Sequence, residues 1–160
     1  MNKLVVYVDR QTAELMVNDV VLKTFKISTA KNGIGCQIGS YCTPDGALKV
    51  AEKIGDGHPV GAVFKFRRAT GEVWSLDPDN PLCRSVDDLI LTRILWLEGA
   101  EPKNANTRER LVYIHGTNHE DKLGTPVSVG CIRMSNADVL TVYDMLDIGS
   151  EVIVAPSGPA

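Results

Sequence analysis

Tyr113-Ile-His-Gly-Thr-Asn118 and, after a short polar spacer, Ser128-Val-Gly-Cys-Ile-Arg-Met134 form the stretch on which the reading of this chain turns. Leu111-Val-Tyr-Ile114 is an apolar, β-branched run that reads as a buried strand. It stands the His115 imidazole at a rigid strand end, and Gly116-Thr-Asn118 then turns the chain away. Cys131 follows Gly130, a residue open to backbone angles closed to other side chains and small enough to let a substrate backbone approach. A free thiol has a pKa of about 8.5 and becomes a good nucleophile near neutral pH when a base or a cation favours the thiolate. Imidazole, titrating near 6.5, is the natural partner because it can take the proton and return it. A tight turn at Gly130-Cys131 would also aim its N–H groups at one point, as an oxyanion hole requires, each donor being worth roughly 3 kcal/mol of transition-state stabilisation. Arg133 adds a permanent positive charge whose planar fork suits a carboxylate.

The same residues have a plainer reading. A lone cysteine is commonly a small buried hydrophobe, a lone histidine commonly satisfies a local hydrogen bond, and Arg133 can be a surface charge. His119, four residues after His115, is a competing base, although its Asn118-His-Glu-Asp-Lys122 surroundings read as a solvated loop. His58, beside Asp56 and Pro59, reads as a loop residue, with lining of a groove as its other role. Chemistry alone leaves these alternatives open.

The pattern as a whole narrows them. Ile114-His-Gly-Thr-Asn118 followed by Gly124-Thr-Pro-Val-Ser-Val-Gly-Cys-Ile-Arg-Met-Ser-Asn136 resembles the signature of the L,D-transpeptidase family, the YkuD-type catalytic domain. Earlier in the chain, Ile27-Ser-Thr-Ala-Lys-Asn-Gly33 and Thr43-Pro-Asp-Gly46, the latter leading into Ala47-Leu-Lys-Val-Ala-Glu-Lys53, resemble that family's Ser-Thr-Gly and Thr-Pro-x-Gly elements. The resemblance implies that Cys131 is the nucleophile, that His115 is the general base and acid, and that the backbone carbonyl of Gly116 orients the imidazole. It implies that Arg133 and Ser128 support the substrate or the loop, with Gly130 and Val129 on the substrate and oxyanion side. Val129 is a departure, since many members carry a histidine immediately before the Gly-Cys pair. That difference bears on the chemistry of the groove more than on catalysis.

Composition fits a compact enzyme. The 160 residues suffice for one domain with a sizeable core, and 44% hydrophobic with 23% charged content is ordinary for a globular chain. A net charge of -3 and the lack of a basic run argue against a nucleic-acid partner. No stretch is long and apolar enough to span a bilayer, and there are no repeats. Met1-Asn-Lys-Leu-Val-Val-Tyr-Val-Asp9 runs straight into a strand-like segment rather than an apolar leader. The expectation is a cytoplasmic protein, or a periplasmic one if a signal sequence has been removed. Cys36, Cys42, Cys83 and Cys131 fit free thiols in a reducing compartment, whereas an oxidising one would allow a Cys36–Cys42 bridge. No C-x-x-C spacing occurs and His119 sits in a polar, solvated loop, so neither a metal nor another cofactor is expected. Oligomeric state is not encoded in any motif.

The expected fold is mainly β: a sandwich-like or barrel-like mixed sheet with one helix after Cys131, forming a single catalytic domain over residues 1–155 and a frayed tail over 156–160. Strands are read at Leu4 to Val8, Glu14 to Val17, Val20 to Ser28, Ala47 to Lys53, Val60 to Phe66, Glu72 to Leu76 and Glu151 to Ala155. Asn18-Asp19 suits a hairpin turn, and Arg68-Ala-Thr-Gly71 is read as another connection. Asp88 to Leu97 is ambiguous by periodicity, and the resemblance favours a strand. Glu101 to Glu109 reads as a polar loop. Ser135-Asn-Ala-Asp138 resembles a capping box, with Val139, Val142, Tyr143 and Leu146 at helical spacing before Gly149.

The activity expected from the resemblance is attack by Cys131 on the carbonyl between the L-centre of meso-diaminopimelate and the terminal D-alanine of a peptidoglycan stem tetrapeptide. The thioester would then pass to water, to another stem's amine or to a free D-amino acid. A cytoplasmic setting favours water and soluble muropeptides, hence an L,D-carboxypeptidase of wall recycling. The alternatives are an L,D-transpeptidase and a non-catalytic module that binds muropeptides.

Overall fold

Alternation of apolar and polar residues builds most of this chain into one mixed β-sheet; a computed structural model describes residues 1–157. In chain order the strands are β1 (Asn2–Tyr7), β2 (Thr12–Val17), β3 (Val20–Lys26), β4 (Gly46–Ile54), β5 (Ala62–Lys65), β6 (Arg68–Val73), β7 (Ile90–Gly99), β8 (Tyr113–Gly116), β9 (Ile132–Met134) and β10 (Glu151–Ala155). One α-helix, α1 (Asn136–Met145), follows β9, and short 3-10 turns lie at Pro102–Asn104 and Glu120–Lys122.

The sheet runs β3-β2-β1-β10-β4-β7-β5-β6, and β8 joins β7 to β9. Among the described strand pairs, β1–β10 and β8–β9 are parallel and the rest antiparallel. The chain after β3 bridges back to β9, Ser28 exchanging backbone bonds of 3.0 and 2.9 Å with Arg133. The path from β9 through β8, β7, β4, β10, β1, β2 and the end of β3 therefore closes on itself, and the mixed sheet is barrel-like.

Period two in the strands decides which side chains meet. Leu95 and Leu97 of β7, Ile114 of β8, and Ile132 and Met134 of β9 enter the main core with Leu4, Val6, Leu15, Leu48 and Val50. Helix α1 covers this face with Val139, Val142 and Tyr143. Its start is fixed by Ser135, whose Oγ accepts from the Asp138 N–H at 3.1 Å, as an N-cap should. The alternate residues fall on the other face, where Ala62, Phe64, Ile94 and Tyr113 form a smaller cluster with Trp96 and Cys131 packed against it. His115 and Arg133 share that second face and are register partners across β8 and β9.

Several local expectations change. Asn18 and Asp19 take φ of 50° and 64°, the left-handed pair of a two-residue hairpin turn. The second such turn is Phe66-Arg67, at 50° and 63°, not the segment ending at Gly71. Gly71 instead lies inside β6 at φ 90°, where the register against β5 slips, so the glycine serves a bulge and β6 starts at Arg68. The segment expected as a strand over Asp88 to Leu97 is β7, running Ile90–Gly99, with Thr92 at φ 74° where the β7–β8 register shifts. Pro156 is tied down, its carbonyl accepting from the Asp9 N–H at 3.1 Å; the rest of the expected tail, residues 158–160, lies outside the described residues.

Candidate active site

The turn entering β9 is held from within and from without. Ser128 Oγ donates to the Cys131 carbonyl at 2.6 Å and accepts from the Gly130 N–H at 3.2 Å. Thr43 Oγ1 donates to the Gly130 carbonyl at 3.0 Å and accepts from the Ala30 N–H at 2.9 Å. Gly130 has φ 130°, a conformation that strains any residue with a Cβ. Ser128 thus shapes the turn, and the Gly130 N–H, expected to face an oxyanion, is directed at the Ser128 hydroxyl. Val129 is 62% exposed and lines the cleft beside Cys131.

Cys131 is half-buried and lines that cleft, a cavity of about 390 Å³. The Tyr113 N–H donates to Sγ at 3.3 Å, and the thiol lies 3.6 Å from the Leu111 carbonyl. The cleft walls are the segment containing Ile38, Gly39 and Tyr41 and the segment 109–112. Arg110 fastens one wall to the other, donating to the Gly35 carbonyl at 3.0 Å and the Cys42 carbonyl at 2.6 Å.

His115 is 1% exposed on the same sheet face as Cys131, and its Nδ1 lies 2.6 Å from the Gly116 carbonyl. A carbonyl can only accept, so Nδ1 carries the hydrogen and Nε2 keeps its lone pair. Gly116 has no room for a side chain: an added Cβ would sit 2.4 Å from Asn136 Oδ1 and 2.7 Å from the Leu91 carbonyl. Asn136 is fixed in turn, its Oδ1 accepting from Thr92 Oγ1 at 2.6 Å and its Nδ2 donating to the Thr117 carbonyl at 2.9 Å. Thr92 Oγ1 also accepts from the Gly61 N–H at 2.9 Å. A β-branched residue at positive φ is uncommon, and here hydrogen bonds to Gly61 and Asn136 hold it at the β7–β8 register shift.

Burial sets the resting protonation. It is the largest cause pushing the Cys131 thiol up to about 11, with the Tyr113 N–H and the Arg133 charge opposing it and the Asp88 carboxylate adding to it. Burial likewise lowers His115, against the Gly116 bond and Asp88, which raise it. Near pH 7 both groups are neutral, so this sheet face carries a thiol and a base with a free lone pair, not a preformed ion pair.

Arg133 is already charge-paired, although its buried Nε has no hydrogen-bond partner. It is 5% exposed, and its Nη2 pairs with Asp88 Oδ2 at 2.8 Å. The sequence reading as a substrate anion clamp missed this partner, which lies far away in the chain and is brought in by β7. His119 leads into the 3-10 turn after β8, and exposed His58 packs its ring edge-on to Phe64 at 5.8 Å. Tyr113, Thr43, Asp88, Thr92, Asn136 and Arg110 are site residues that sequence reasoning did not single out for these roles. Thr43 had a usable signal in the Thr-Pro-x-Gly element, while Tyr113 contributes a backbone group that no side-chain pattern reports. Among the described residues no group of three or more His, Cys, Asp or Glu is placed to hold a metal ion. No helix among them is long and apolar enough to cross a membrane.

Comparison with known proteins identifies the family. The family model for the L,D-transpeptidase catalytic domain, YkuD, matches residues 2–154. The Bacillus subtilis (strain 168) protein named "Putative L,D-transpeptidase YqjB" is 30% identical over 151 residues, covering 93% of this chain and 69% of the relative. Among solved structures, an L,D-transpeptidase from Mycobacterium smegmatis matches with a TM-score of 0.60 at 20% identity, over 96% of this chain and 58% of that one. L,D-transpeptidase 3 from Mycobacterium tuberculosis, solved with a faropenem-derived adduct, matches with a TM-score of 0.60 at 19% identity, over 96% and 59%. These structural likenesses concern the fold, and the chain spans under three-fifths of the length of either solved chain. With the match over residues 2–154, the chain belongs to the YkuD family of L,D-transpeptidase catalytic domains.

Proposed function

We propose that this domain is a cysteine acyl-transfer enzyme of peptidoglycan metabolism, acting on stem tetrapeptides. The observation that carries the reading is the cleft thiol of Cys131 on one sheet face with His115, whose Nδ1 is tied to Gly116 and whose Nε2 is thereby free. Substrate binding excludes water, and the Cys131 proton passes to Nε2 as the sulfur attacks the carbonyl of the L-centre of meso-diaminopimelate. The Tyr113 N–H, directed at the sulfur, is a donor beside the forming oxyanion. Collapse breaks the C–N bond, and His115 returns the proton to the departing D-alanine amine. A Cys131 thioester remains.

The acceptor we favour is water, which makes the enzyme an L,D-carboxypeptidase that trims soluble muropeptides in the cytoplasm. Support comes from the cleft, whose volume of about 390 Å³ lies at the small end of single-ligand sites. The second reading, an amine acceptor and cross-linking or exchange, is favoured by the names of the relatives. Purified protein incubated with a disaccharide-free tetrapeptide should release D-alanine and tripeptide, followed by mass spectrometry. Dimer formation from added stems without D-alanine hydrolysis would overturn the choice of water. Binding with no turnover of any stem would instead favour a non-catalytic module, and fractionation of cells tests the location.

A further inference from the structure

With Arg133 committed to Asp88, the carboxylate of the departing residue needs another partner, and the second sheet face offers one. Arg67, in the turn between β5 and β6, is half-buried. Its Nη1 donates to the Tyr113 hydroxyl at 3.0 Å, and its guanidinium carbon lies 4.7 Å from the centre of the Trp96 ring. Trp96 is itself fixed, its Nε1 donating to the Arg108 carbonyl at 3.1 Å and its ring meeting Tyr113 edge-on at 5.8 Å.

Charge pairing separates Arg67 from its neighbours. Arg108 also lies over Trp96, at 4.9 Å, but it is paired with Glu52. Among the described residues the other ion pairs use Lys3, Lys23, Lys103 and Arg133, and no carboxylate lies within ion-pair distance of Arg67. A guanidinium stacked on indole and hydrogen-bonded to phenol has lost part of its water and keeps a planar fork for an anion.

Position supplies the ligand. Tyr113 receives Arg67 at its hydroxyl and directs its backbone N–H at Cys131 Sγ, while Trp96 and Cys131 pack against the same small cluster. A peptide whose scissile carbonyl meets the sulfur carries its terminal carboxylate one residue further on, about 3.5 Å along an extended chain. We propose that Arg67, held by Trp96 and Tyr113, is the subsite for the free α-carboxylate of the residue that departs. The proposal rests on the acyl-transfer reading and names a specificity determinant for it: a cut one residue from a free carboxyl end.

The test compares a tetrapeptide ending in free D-alanine with the same peptide ending in D-alanine amide. A charge-assisted pair predicts that the unsubstituted protein favours the acid by about 10- to 100-fold in kcat/KM. Arg67→Gln should lose that factor on the acid and leave the amide nearly unchanged, with Arg67→Lys between the two. A merely structural role for Arg67 would lower both substrates together and keep their ratio, which overturns the proposal, as does an unsubstituted protein without preference. The same ratio measured as dissociation constants on Cys131→Ser protein, with Arg67 intact or changed to Gln, needs no turnover. Acid preference in binding without catalysis would sink the acyl-transfer reading and leave the subsite standing; catalysis without acid preference would do the reverse.

Discussion

A single methyl group at residue 116 should disable the site while leaving every proposed reacting side chain chemically intact. In Gly116→Ala the new Cβ would meet Asn136 Oδ1 at 2.4 Å and the Leu91 carbonyl at 2.7 Å. Neither neighbour can give way easily. Leu91 is backbone paired with Gly116 across β7 and β8, and Asn136 is held by Thr92 at 2.6 Å and by the Thr117 carbonyl at 2.9 Å. Restoring ordinary contact at 3.4 Å therefore needs β8 and its neighbours to part by up to about 1 Å, carrying away the carbonyl that now lies 2.6 Å from His115 Nδ1. Overpacking of this kind costs about 1–3 kcal/mol. At about 2–4 °C per kcal/mol for a chain of this size, the melting temperature should fall by roughly 4–8 °C for the middle of that range. A displacement approaching 1 Å of a positioned base costs on the order of 100-fold in rate. The expected result is a kcat for D-alanine release lowered by roughly that factor. Unaltered kcat and melting temperature in Gly116→Ala would refute the claim that this carbonyl is wedged against Asn136 to hold the imidazole.

Alkylation of Cys131 by iodoacetamide in the free protein should keep accelerating above pH 9, because burial pushes the thiol up to about 11; a plateau reached below pH 7 would mean a preformed thiolate–imidazolium pair. Thr92→Val keeps the shape but removes the hydroxyl that joins Gly61 to Asn136, and should cost about 1–3 kcal/mol in urea unfolding together with kcat, whereas Thr92→Ser restores both; equal behaviour of the two variants would contradict the network. His115 is lowered in the folded state, so below pH 6.5 the unfolded chain binds its proton first and stability falls as pH drops towards the folded value. His115→Gln should flatten that part of the stability–pH curve, and an unchanged slope would exclude His115 as its source.

The face carrying His115, Cys131 and Arg133 is legible in the sequence because strands have period two. Once Ile114, Ile132 and Met134 are assigned to a core, their alternates must share the opposite side. The helix after β9 is legible for a similar reason, Ser135 being a cap and the apolar spacing that follows being helical. Partners supplied by distant segments are not. Asp88 reaches Arg133 only because β7 lies beside β8, and this turned an apparent anion clamp into an internal pair. The Phe66-Arg67 turn was hidden because Gly71 looked like the better turn residue, yet a bulge claimed it. Left-handed Thr92 and the Tyr113 N–H leave no mark in a residue pattern, since one is a conformation and the other a backbone group.

The central claim is that Cys131 carries the acyl group. Rapid acid quenching of the protein during turnover of a stem tetrapeptide, followed by intact-mass and peptide mass spectrometry, reads this directly. The expected result is a transient adduct equal to the tripeptide acyl group, located on the peptide containing Cys131 and missing in Cys131→Ser, which releases no D-alanine. An adduct on another residue, or D-alanine release that persists in Cys131→Ser, would contradict it.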